Sequence, residues 1–127
     1  VSTAQMLEVA PYLVVADLAA AITHYEARLG FGLTEVEGDP ATVAVLSRDG
    51  IALMLRTGDP AVRGAEDPDR RADAYIWVTD VVALADELVA RGAAVVALPV
   101  DRPVGDGREL QVRDLDGNVL CFGQLLD

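Results

Sequence analysis

Cys121 is the only cysteine and His24 the only histidine in this 127-residue chain. A cysteine nucleophile needs a base close by to hold the thiolate. His24 lies beside Tyr25 in a stretch with helical periodicity, which puts it on an outer layer as a surface or half-buried helix residue, not a ligand. Without a base, Cys121 reads as a small buried hydrophobe. The carboxylates of Asp73 and Glu109 are the candidates for general base. Tyr12, Tyr75 and Trp77 offer rings for a flat or cationic ligand.

What these side chains can do depends on the surface they share. Alternate residues of a strand point to opposite faces. In the segment 51–57, Ile51, Leu53 and Leu55 fall on one face, and Ala52, Met54 and Arg56 on the other. In 118–124, Leu120 and Phe122 share one face; Val119, Cys121 and Gly123 share the other. The all-apolar faces should be the core, since burying each such side chain is worth roughly 2 kcal/mol. The mixed faces should then line a concave side. The same parity turns Tyr12 and Val14, Tyr75 and Trp77, and Glu109 and Gln111 inward. The expected lining is Tyr12, Met54, Arg56, Asp73, Tyr75, Trp77, Glu109, Gln111 and Cys121.

The elements that carry these residues repeat. YLVVADLAAAITHYEAR at 12–28 aligns without gaps to YIWVTDVVALADELVAR at 75–91, 63 positions later. Each copy has an apolar strand and then an Asp (Asp17 or Asp80) placed to cap a helix. The helix carries an apolar stripe: Leu18, Ala21, Ile22, Tyr25 and Leu29, or Val81, Leu84, Ala85 and Leu88. Gly30 and Gly92 supply a left-handed residue at the helix ends. Three strands are predicted after each helix, at 33–37, 42–47 and 51–57, and at 94–98, 108–113 and 118–124. Asp49-Gly50 reads as a hairpin turn. The chain is therefore α+β, with βαβββ, a Pro-, Gly- and charge-rich linker, and βαβββ again. We take residues 1–127 as one domain, with module one about 6–57, linker 58–72 and module two about 73–126.

Two such modules, with VADL and VTDV ahead of the helices, YEARLGF at the first helix end and RDLDGNVL before the last strand, resemble the vicinal oxygen chelate superfamily. That superfamily includes glyoxalase I, extradiol dioxygenases and bleomycin-resistance proteins. The resemblance implies an open, cleft-bearing curved sheet with helices outside and the ligand held between modules. It implies four pseudo-symmetric metal positions, here Ala10, Met54, Asp73 and Cys121. A catalytic divalent site takes about three N or O ligands and an open position, and only Asp73 is a good hard ligand. No metal or cofactor is therefore expected. The resemblance also implies a homodimer, with or without exchange of modules across the linker.

Composition narrows the partners. The formal charge is −11 and all ten basic residues are arginine, which argues against nucleic acid and suits a cationic ligand. No apolar run approaches the roughly 20 residues of a membrane span. A single cysteine excludes an intrachain disulfide, and the first residues lack a signal-peptide pattern, so a cytoplasmic protein is expected. The expected function is metal-independent binding of a small molecule, resembling bleomycin-resistance proteins: antibiotic resistance by sequestering a cationic or planar aromatic drug. The alternative is a lyase, isomerase or dioxygenase-type enzyme with Asp73 or Glu109 as base.

Overall fold

The computed structural model describes residues 3–62, 72–101 and 107–125. Module one runs β1 (Tyr12–Val15), α1 (Leu18–Leu29), β2 (Gly32–Glu37), β3 (Val43–Arg48) and β4 (Ile51–Thr57), followed by a 3-10 turn at Pro60–Val62. Module two runs β5 (Ala74–Trp77), α2 (Val81–Ala90), β6 (Ala94–Asp101), β7 (Arg108–Arg113) and β8 (Val119–Gln124). Each module is one four-stranded sheet, ordered β1-β4-β3-β2 and β5-β8-β7-β6. The outer pairs β1–β4 and β5–β8 are parallel, and the others are antiparallel. Most of the linker, residues 63–71, lies outside the described residues.

The local signals act as their chemistry requires. Asp17 accepts from the Ala20 amide and Asp80 from the Ala83 amide, both at 3.0 Å, satisfying helix N–H groups that have no partner within the helix. Gly30 ends α1 at φ +74. In α2 the cap is Arg91, in the right-handed region, and Gly92 follows at φ +80. Asp49 and Gly50 both have positive φ, as a two-residue hairpin turn that follows the strand twist demands. Strand β6 runs three residues beyond the expected 98 and loses register with β7 at two places.

Parity decides the core. Leu13 and Val15 of β1, Leu53 and Leu55 of β4, Leu110 and Val112 of β7, and Leu120 and Phe122 of β8 are buried against the helix stripes. One expectation is corrected: Ile51 is exposed, because it opens β4 at the hairpin end and faces an open pocket, not packed core.

The modules hold each other through their helix ends and hairpin turns. Arg28 donates to the Arg91 carbonyl at 2.8 Å, and Arg91 donates to the Ala27 carbonyl at 3.2 Å. Repeat-related arginines thus reach across to each other's helix end. Arg48 in β3 donates to the Leu29 carbonyl and, at 2.7 Å, to Glu87 of α2. The β7–β8 turn reaches back into module one. Buried Asp114 accepts from the Tyr25 hydroxyl at 2.7 Å, the Asn118 amide donates to the Val14 carbonyl, and Asp116 accepts from the Ala16 N–H.

Candidate functional site

Six of the nine expected lining residues belong to module two, five on its sheet and Asp73 just before it. Register sets them in rows: Tyr75, Cys121 and Gln111 stand side by side, as do Trp77, Gly123 and Glu109. Gly123 has no side chain, and the ring of Tyr75 occupies the space above it; a Cβ there would collide with the Tyr75 hydroxyl. Crossing Gly123, Tyr75 donates its hydroxyl to Glu109 Oε2 at 2.7 Å. The Trp77 ring lies 5.1 Å from that of Tyr75, tilted by 57°. The outcome is a two-ring surface with a carboxylate at its edge. Trp77 is 53% exposed and Tyr75 38% exposed, so neither ring plugs the space.

Cys121 sits under this surface at 3% exposure. Burial, then the charges of Glu109 and Asp73, push its thiol up to about 11. It is therefore a neutral thiol at physiological pH, which does not suit a nucleophile. Asp73 sits just before β5, and its carboxylate accepts from the Val119 N–H at 2.8 Å while its own N–H pairs with the Val119 carbonyl. One of its oxygens thus fastens the start of β8.

The other three residues form a separate face on module one. Tyr12 stands beside Met54, and Val14 beside Arg56. The Arg56 guanidinium lies 6.0 Å from the Tyr12 ring centroid, within cation–π range. Tyr12 is 53% exposed. Both mixed faces are thus open in a single chain.

The metal positions fit a catalytic ion poorly. Ala10 has no donor, Met54 offers a thioether, Cys121 is held protonated, and Asp73 already binds a backbone amide. Among the described residues no group of three or more His, Cys, Asp and Glu side chains gathers to hold a metal ion. His24 is partly buried on α1, and burial chiefly lowers its pKa.

Two sheets of this connectivity, related by the repeat, are the decisive observation, and comparison agrees. A sequence model of the Glyoxalase/Bleomycin resistance protein/Dioxygenase superfamily matches residues 5–122. The chain belongs to this superfamily. Among solved structures, this glyoxalase-fold chain is similar to the bleomycin-binding protein of bleomycin-producing Streptomyces verticillus, complexed with copper(II)-bleomycin. The identity is 25%, the TM-score 0.75, and the match covers 98% of this chain and 100% of that one. TioX from Micromonospora sp. ML1 matches at 26% identity and TM-score 0.73, over 95% of this chain and all of that one. A glyoxalase-related enzyme from Clostridium phytofermentans shares the fold at 16% identity and TM-score 0.76, over 97% and 98% of the two chains. No curated protein matches the sequence. Among the described residues no helix is long and apolar enough to cross a membrane.

One feature of the site and one contact between modules escape sequence reasoning. Parity places Gly123 on the inward face but does not reveal it as the bed for Tyr75. A glycine inside a strand is itself a signal of close approach. The Tyr25–Asp114 pair is hidden because 89 residues separate its members.

Proposed function

We propose that this chain is a metal-independent small-molecule binding protein that holds a cationic or planar aromatic drug on the concave face of module two. The observation that carries this reading is the Tyr75–Glu109 hydrogen bond over Gly123 with Trp77 beside it. Rings present a negative π face to a cation, and the carboxylate at their edge adds a charge-assisted acceptor. The net charge of −11 favours encounter with a cation. Similarity to a bleomycin-binding protein supports the same class of ligand. The action is stoichiometric: the drug is kept from its target in the cytoplasm, giving antibiotic resistance.

A second copy of the chain completes the cleft in this reading. Met6, Leu7 and Val9 are exposed, and so are Tyr12 and Trp77 on the two mixed faces. Exposed apolar surface of this kind favours a homodimer, with or without exchanged modules.

The test is a thermal-shift screen against cationic glycopeptide, quinone and other aromatic antibiotics, with and without zinc, nickel, manganese and iron. A ligand of the native state raises Tm by mass action. Shifts with drugs alone support sequestration; shifts with metals alone favour the enzyme reading. Trp77→Ala should weaken drug binding by one to two orders of magnitude, roughly 1–3 kcal/mol for a stacking aromatic.

A further inference from the structure

The repeat makes the two module junctions directly comparable. Strand and helix residues correspond with an offset of 63. The register pairs Tyr12 with Met54 and Tyr75 with Cys121, so the hairpin residues correspond with an offset of 67. By these offsets Tyr25 matches Leu88, Asp114 matches Ser47, Asn118 matches Ile51, and Val14 and Ala16 match Trp77 and Thr79. At one junction Tyr25, Asp114 and Asn118 close the space between turn, helix and strand. At the other, leucine, serine and isoleucine stand in those places. None of them can reproduce the ring or its hydrogen bonds.

A cavity of about 630 Å³ lies at that second junction. Its lining includes Leu88, Ile51, Trp77 and Thr79, the counterparts of residues that close the first junction. It is a pocket open to solvent on one side, and ligand pockets run roughly 300–1,000 Å³ with mainly apolar walls. The walls here include Phe31, Ile76, Leu84 and Phe122. Ile76 and Phe122 are on the helix side of the sheet, opposite Tyr75 and Cys121, so most of this pocket lies away from the concave face; Trp77, at the strand end, borders both.

We infer that this junction is a second binding site, for a one- or two-ring aromatic compound carrying a hydrogen-bond donor, such as a phenol or aromatic amine. The first junction offers the analogy of a phenol ring seated between turn, helix and strand, although its carboxylate acceptor is replaced at the second junction by Ser47. The rim carries Asp49, Asp80 and Glu87 against one cation, Arg48, and Arg48 is engaged with Glu87 and the Leu29 carbonyl. Glu87 is also held by Arg91, Asp80 caps α2 and Asp49 lies 3.7 Å from Arg48, so a donor head would use the lone pairs these carboxylates have left, while the net negative charge of the rim disfavours a carboxylate.

The probe is 4-fluorophenol, followed by fluorine NMR and by methyl shifts in the intact protein, with benzoate as the comparison. Saturable binding is expected, with methyl shifts at Ile51, Ile76, Leu84 and Leu88, and benzoate at least tenfold weaker. Leu88→Tyr combined with Ser47→Asp, which copies the closed junction, should reduce binding at least tenfold. Leu84→Trp should do the same should the double variant fail to fold. No saturable shift, shifts confined to the Tyr75 signals and absent from the four methyl-bearing residues, or benzoate binding as tightly as the phenol would each overturn the assignment. The wild-type methyl shifts test the site without any variant, and they separate it from the concave face.

Discussion

The ring of Tyr75 lies across Gly123, in space that any larger residue at 123 would need for its own side chain. The strand pairing makes this possible by setting Trp77 and Glu109 on either side of Gly123. Tyr75 can then reach over β8 to the carboxylate on β7. Gly123→Ala is expected to fold, because its φ needs no glycine, but to lift Tyr75 from its seat. Drug affinity measured by calorimetry should fall about tenfold, the scale of one lost charge-assisted hydrogen bond. Tyr75→Phe should produce a similar loss. If the alanine variant binds as tightly as wild type, the two-ring surface is not what the ligand contacts.

The β7–β8 turn is predicted to hold the modules together. Asp114 accepts from the Tyr25 hydroxyl, the Asn118 side chain, and the backbone amides of Asp116 and Asn118. Tyr25→Phe removes one of these bonds at a buried site and should cost about 1–3 kcal/mol. Asp114→Ala should cost more, because it leaves several donors without an acceptor. Urea unfolding provides the check: equal midpoints for Tyr25→Phe and wild type would show that the contact contributes nothing.

Cys121 should resist alkylation at neutral pH while the chain is folded. Its thiol is raised from 9.0 to about 11 in the native state, so the folded protein keeps the proton where the unfolded chain has lost it. Stability linked to this group is whole below pH 9 and falls as pH rises from 9 towards 11. Cys121→Ala should flatten that alkaline decline in a stability–pH profile. Rapid labelling of native protein by iodoacetamide at about pH 7 would contradict the burial and charge argument.

Glu87 gives the opposite dependence. Its pKa is lowered by hydrogen bonds, first from Arg48 and then from Arg91, against the opposing effect of burial. The linked stability is present above the ordinary glutamate range and is lost as pH falls through the depressed native value. Its side chain is about one third exposed, so the effect should be small and screened by salt. Glu87→Gln should show a shallower acid decline in Tm than wild type, and identical acid limbs would remove Glu87 from the account.

Much of the fold is legible because the repeat carries its own punctuation. Asp17 and Asp80 start the helices, the apolar stripes choose their buried faces, and period-two alternation sorts Leu53 from Met54 and Leu120 from Cys121. The same parity brings out Tyr75, Trp77 and Glu109 as neighbours. Contacts between modules are not legible, since Tyr25 meets Asp114 through tertiary packing that no local period encodes. The cavity escapes for a related reason: Leu88 and Ile51 read as ordinary core residues until the other junction shows what they replace. Alternation misplaces Ile51 because it gives a face but not whether packed core or an open pocket lies against it.

The most direct measurement uses the chain's single tryptophan. Its fluorescence is titrated with the cationic aromatic antibiotic giving the largest thermal shift, in wild type and in Glu109→Gln. The account predicts saturable quenching of Trp77 that weakens with added salt and weakens about tenfold in the variant. Tight binding of the drug with unchanged Trp77 emission, or with no dependence on Glu109, would contradict it.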